Sequence, residues 1–145
     1  MAEITWAMWN CSGFLPSSSA QTKMDFLNSI NNKKYDILVL TETHHKVLQD
    51  ISPLLHTYNN NIHLIDTEAT EDDPYAGIAV MISNKFTLLE YTTLLTGRLL
   101  NFKIQSYKKV YNVTAMYIHY KVKNAMNRTS TLEQVIPRFS MLKFT

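Results

Sequence analysis

The stretch DILVLTETHHK, residues 36–46, constrains the fold more than any other in the chain. Its four consecutive apolar residues, Ile37 to Leu40, read as a buried strand. Glu42 follows at once between two threonines, with His44 and His45 directly behind it. A carboxylate at the end of a buried strand is costly unless something pairs with it. Any fold for this chain must therefore bury residues 37–40 and still give Glu42 a partner.

The flanking sequence supplies the strand's neighbours. ITWAMW (4–9) is a short aromatic-rich run that stops at Asn10 and Gly13, a strand signal. In SSSAQTKMDFLNSINN (17–32), Ala20, Met24, Leu27 and Ile30 share one helical face, and serines are available as N-cap. A strand–helix–strand unit of this length predicts two parallel neighbours joined by a right-handed crossover. VLQDISPLLHTY is weakly helical and interrupted by Pro53. NIHLID (61–66) and GIAVMIS (77–83) read as strands, separated by an acidic loop that Pro74 and Gly77 close. FTLLEYTTLL reads as one more. GRLLNFKIQS alternates with Leu100, Phe102 and Ile104 on one side, and KKVYNVTAMYIHY alternates with Val113, Ala115 and Tyr117 on one face. NRTSTLEQVIPRFSMLKF looks like a capped helix start with Pro137 inside it.

At 145 residues the chain has the length of one domain, 1–145, and at 46% hydrophobic it can build a core. The single cysteine, Cys11, excludes an internal disulfide framework and suits a reducing compartment. The N-terminus has no basic start followed by a long apolar stretch, and no apolar run approaches the ~20 residues that span a bilayer. The expectation is an intracellular protein, nuclear or cytoplasmic and not secreted. The net charge of +2 conceals an asymmetry: residues 1–97 carry 5 Lys/Arg and 11 Asp/Glu, residues 98–145 carry 9 and 1. An acidic half can hold a cation and a basic half can bind phosphates, although scattered solvated lysines would give the same count.

In a parallel α/β arrangement, sites gather at the C-terminal ends of strands. The first strand delivers WNCSG there and the second delivers TETHH, so Asn10 and Glu42 are expected side by side at one sheet edge. An amide oxygen and a carboxylate are hard ligands suited to Mg²⁺, which takes few protein ligands and keeps several waters. The alternative is a strand-end glutamate that pairs with a lysine or caps a helix.

ITWAMWNCSGF followed some thirty residues later by DILVLTETHH resembles the exonuclease–endonuclease–phosphatase superfamily. YAGIAVMIS, TGRLLNFKI and YNVTAMYIHY look like three further strands of that family, in the family's order. The form E-T-H and the segment DDPYAGIAVMI are most similar to the apurinic/apyrimidinic-type endonuclease domains of non-LTR (LINE-type) retrotransposons. The resemblance implies a DNase I-like α/β sandwich and a Mg²⁺-dependent (or Mn²⁺-dependent) phosphodiesterase acting on DNA. It implies that Glu42 holds the metal, that Asn10 orients the site and contacts metal-bound water or phosphate, and that Tyr117 contacts the scissile phosphate. It implies substrate contacts from Ser12, His44, Arg98 and Tyr120. Ser12 stands where relatives often carry Asp or Asn, and His119 and Tyr120 stand where they carry Pro and Asn.

The two adjacent histidines would point in opposite directions on an extended chain, so a zinc site shared by both is not expected. Cys11 reads as a small buried residue, His56 and His63 as packing or surface residues, and the run Glu68, Glu71, Asp72, Asp73 as a solvated loop. The family's later half carries an Asp-x-Asn segment and a terminal Ser-Asp-His. Here no Asp follows Asp73 and no His follows His119, so the general base has no candidate. The resemblance thus implies an incomplete sandwich: the first sheet, with an apolar face open to a partner chain or to self-association. Two readings stay open, an N-terminal portion of a DNA endonuclease domain and a catalytically inactive remnant that binds nucleic acid or a partner. A phosphatase-type relative is a weaker third.

Overall fold

A computed structural model describes residues 4–13, 25, 35–53, 55 and 61–118. The expected helices over 17–32 and in the C-terminal segment lie outside the described residues, apart from Asp25, which is helical. So do His56, His119 and Tyr120.

Among the described residues, seven strands form two sheets. The first sheet has the order β1-β2-β4-β3, with β1 at Trp6–Asn10, β2 at Ile37–Thr41, β3 at Ile62–Thr67 and β4 at Ile78–Ser83. β1 and β2 run parallel, in register from Trp6–Ile37 to Asn10–Thr41. β4 is antiparallel to both β2 and β3. The sheet is therefore mixed: β1 and β2 are the parallel neighbours that the strand–helix–strand unit predicts, and β4 reverses the direction. The cause is connection length: residues 68–77 join β3 to β4 too briefly for the dozen or more residues of a parallel crossover. The second sheet is an antiparallel meander of β5 (Thr87–Leu95), β6 (Leu99–Ser106) and β7 (Lys109–Met116). The stretch 47–58 contains a 3-10 helix at Leu48–Asp50.

The two faces of the first sheet explain the continuous apolar run that marks β2. Ile37 and Val39 face the second sheet and share a core with Ile65, Val80, Ile82, Leu100, Phe102, Ile104 and Ala115. Leu38 and Leu40 point the other way and pack with Cys11, Ile51, Leu55, Ala79 and Met81. All five residues of β2 are buried as a result. Leu100, Phe102 and Ile104 are fully buried on one side of β6, as its alternation predicts. Each such side chain contributes about 1.5–3 kcal/mol relative to exposure.

The second sheet packs on the first through one shared core, so the first sheet's inner face is covered further than the expected partial cover implied. β5 and β6 pack over β3. The uncovered part is the edge strand β1, whose Trp6 and Met8 are in register with Ile37 and Val39 yet 61% and 62% exposed. No described helix is long and apolar enough to cross a membrane.

Candidate metal and phosphate site

The ends of β1, β2 and β7 and the starts of β4 and β6 meet at one end of the sandwich. The joints are backbone hydrogen bonds. Cys11 N–H donates to Thr41 O (3.0 Å), Gly13 N–H to Glu42 O (2.6 Å), Gly77 N–H to Gly97 O (3.0 Å) and Tyr117 N–H to Arg98 O (2.8 Å).

Glu42 stands just past β2 with φ 52°, and His44 has φ 60°. Two non-glycine residues in the left-handed region cost on the order of 1–3 kcal/mol each, and such strain persists only where surrounding contacts hold it. Glu42 is half-buried, and its carboxylate accepts a hydrogen bond from the Tyr117 hydroxyl. Burial pushes the Tyr117 phenol well above the usual tyrosine value, and the hydrogen bond and charge of Glu42 add to this; the Arg98 guanidinium opposes it. Tyr117 therefore stays protonated and donates.

Arg98 closes the other side of Tyr117, with its guanidinium carbon 5.6 Å from the ring centroid. Its Nε and Nη2 both donate to the Asp73 carboxylate, at 2.6 and 2.9 Å. The planar fork is thus occupied by a loop carboxylate. The third nitrogen, Nη1, is buried and has no hydrogen-bond partner among the described residues. Asp73 was legible only as part of a solvated acidic run. Nothing local distinguishes it from Asp72, and its partner lies 25 residues away.

Asn10 is in register with Thr41, which puts it beside the strand end that carries Glu42. Its Oδ1 accepts from the Ser12 N–H at 3.1 Å and from the Ser12 hydroxyl at 3.5 Å. His44 packs against the loop after β1. Its ring packs so closely on Gly13 that a Cβ there would lie 2.7 Å from Nδ1, and it meets Tyr75 edge-on at 5.4 Å. His45 is fully buried and faces Asp66 instead. The two histidines serve different contacts.

The structure thus groups Glu42, Tyr117 and Arg98, sets Asn10 and Ser12 at the adjoining strand end, and packs His44 against Gly13 and Tyr75. As a metal site the donor set is sparse. No group of three or more His, Cys, Asp or Glu able to hold a metal occurs among the described residues. One carboxylate and one neighbouring amide oxygen fit a mostly hydrated Mg²⁺, which needs only one or two protein carboxylates.

Solved structures of the endonuclease/exonuclease/phosphatase type share this fold of two stacked sheets. TDP2 from Caenorhabditis elegans superposes with a TM-score of 0.71 at 15% identity, over 95% of this chain and 42% of that one. D. rerio TDP2 complexed with single-strand DNA product gives 0.73 at 16% identity, over 97% and 56%. The AP endonuclease LMAP from Leishmania major gives 0.57 at 14%, over 79% and 40%. The chain spans about half the length of these proteins, between 40% and 56%. No protein-family model and no curated protein sequence matches it.

Proposed function

We propose that the chain is the N-terminal portion of a Mg²⁺-dependent DNA phosphodiesterase domain, an endonuclease of the LINE-retrotransposon type. The observation that carries this reading is the grouping of Glu42, Tyr117 and Arg98 at one end of a sandwich. The fold is one it has in common with an AP endonuclease and with a TDP2 bound to a DNA product. The retrotransposon assignment rests on the sequence forms E-T-H and DDPYAGIAVMI alone.

Glu42 would hold the metal, with the Asn10 amide beside it. A bound Mg²⁺ supplies polarisation of a phosphate oxygen and charge neutralisation at the reacting centre. The chain's own groups act around that point. Tyr117 keeps its proton, donates a hydrogen bond to Glu42 and fixes the direction of the carboxylate. Arg98, with Nε and Nη2 held by Asp73, brings its positive charge to the side of Tyr117 where a phosphate would lie. Ser12 and His44 flank the phosphate path, and Tyr120, outside the described residues, completes the proposed substrate set.

One specific observation favours the second reading, an inactive nucleic-acid-binding remnant: Glu42 is the sole acidic group proposed for the site, and the sequence has no Asp after Asp73 to orient a base. Each missing acid–base function typically costs about 10²–10⁴-fold in rate. The experiment is supercoiled-plasmid nicking by the 145-residue chain in Mg²⁺ and in EDTA, with DNA binding measured across a salt series. The expected result is salt-sensitive binding with nicking at or near the EDTA background. Robust Mg²⁺-dependent nicking that Glu42→Ala removes would overturn the incomplete-site reading and locate the base within this chain. No binding at low salt would overturn the nucleic-acid reading altogether.

A further inference from the structure

His45 is fully buried and takes no part in the site described above. Its ring lies between two partners: Nδ1 meets the Thr43 hydroxyl, and Nε2 lies 2.8 Å from Asp66 Oδ2 on β3. A carboxylate accepts, so Nε2–H donates to Asp66, and Nδ1 and the Thr43 hydroxyl form the second hydrogen bond. This satisfies every polar atom of the imidazole, which a fully buried histidine requires.

The chain of contacts ends at the residues that need support. Thr43 is fully buried and sits between Glu42 and His44, both in the left-handed region. Its N–H donates to Gly77 O at 3.2 Å, and the His44 N–H donates to Ala76 O at 3.0 Å. Gly77, at φ +112°, leaves no room for a side chain on this face, since a Cβ would run into Thr43 Oγ1. On the far side the Ala69 N–H donates to His45 O at 2.8 Å. The loop after β2 is therefore pinned to the end of β3 through His45 and to the start of β4 through Thr43 and His44.

We infer that His45 and Asp66 are positioning residues: the buried Thr43–His45–Asp66 chain holds the backbone at Glu42 in its left-handed conformation and so sets the direction in which the Glu42 carboxylate faces its cation. This rests on the reading of Glu42 as the metal-holding group. Groups that orient a metal ligand without touching the metal typically affect affinity about 10–100-fold when removed. A chain that served stability alone would lower the melting temperature and leave the affinity of the folded protein unchanged.

The test is Mn²⁺ affinity by electron paramagnetic resonance, well below the melting temperature, with circular dichroism on each variant. Glu42→Gln tests the underlying reading. Thr43→Val is nearly isosteric and cuts the hydrogen bond to His45, Asp66→Ala removes the far anchor, and Asp66→Asn keeps an acceptor for Nε2–H. The expected result is a loss of about tenfold or more in Thr43→Val and Asp66→Ala, with Asp66→Asn close to the wild type. Loss of binding in Glu42→Gln but wild-type affinity in folded Thr43→Val and Asp66→Ala would overturn the positioning role and leave the metal reading standing. Unchanged affinity in Glu42→Gln would overturn both. Should Asp66→Ala fail to fold, Thr43→Val with wild-type affinity is sufficient to overturn the role.

Discussion

Tyr117 is the residue on which the site turns, because it touches Glu42 on one side and lies under Arg98 on the other. Burial, reinforced by Glu42, raises its phenol above the usual value of 10.0. A group whose folded value is raised contributes stability that is complete below its unfolded value and lost as pH rises through the folded one. The stability that Tyr117 contributes should therefore be complete up to about pH 10 and fall away above it, as the phenol ionises more readily in the unfolded chain. A difference titration at the phenolate absorbance, wild type minus Tyr117→Phe, should show a midpoint clearly above that of an exposed tyrosine. A midpoint at the ordinary value would mean that the hydroxyl is solvated and not directed at Glu42. What was legible at this scale is that Glu42, a carboxylate at the end of a buried strand, needs a partner, and Tyr117 is one. Asp73 was not, since a loop carboxylate that meets an arginine 25 residues away leaves no local trace.

Among elements, the parallel pair β1–β2 carries the proposed site, and its far end is fastened by Asp36. That carboxylate accepts from the Thr5 N–H at 3.0 Å and pairs with Lys85 Nζ at 2.6 Å. Burial alone would raise its pKa, but Lys85 and the Thr5 hydrogen bonds together bring it below the usual 3.8. A lowered value means stability that is present above the unfolded value and lost as pH falls through the folded one. Asp36→Ala strands the Thr5 N–H and should cost about 1–3 kcal/mol at neutral pH by urea unfolding. The difference from the wild type should shrink as pH falls below the aspartate range; a pH-independent cost would show that packing, not charge, is lost. The strands themselves were legible from alternation, as in β6, where the buried series Leu100, Phe102, Ile104 matches a period of two. The direction of β4 was not, because a hydrophobic run buried on both faces reads the same parallel or antiparallel.

For the molecule as a whole, the arrangement of two stacked sheets was legible only through resemblance. Alternation marks a face for burial without naming the sheet that covers it, and the second sheet's cover stops short of Trp6 and Met8 on β1. The same packing of sheet on sheet brings Tyr117 and Arg98 from the second sheet to Glu42 and Asn10 on the first. On the proposed function, a divalent cation binds at this junction and not on the acidic loop 68–73, which holds more carboxylates. Paramagnetic broadening by substoichiometric Mn²⁺ in NMR spectra of the labelled chain separates the two directly. Resonances of residues 10–13, 41–44 and 117 should broaden first, and Glu42→Gln should abolish the effect. Broadening centred on Glu68, Glu71 and Asp72 and unaltered in Glu42→Gln would contradict it.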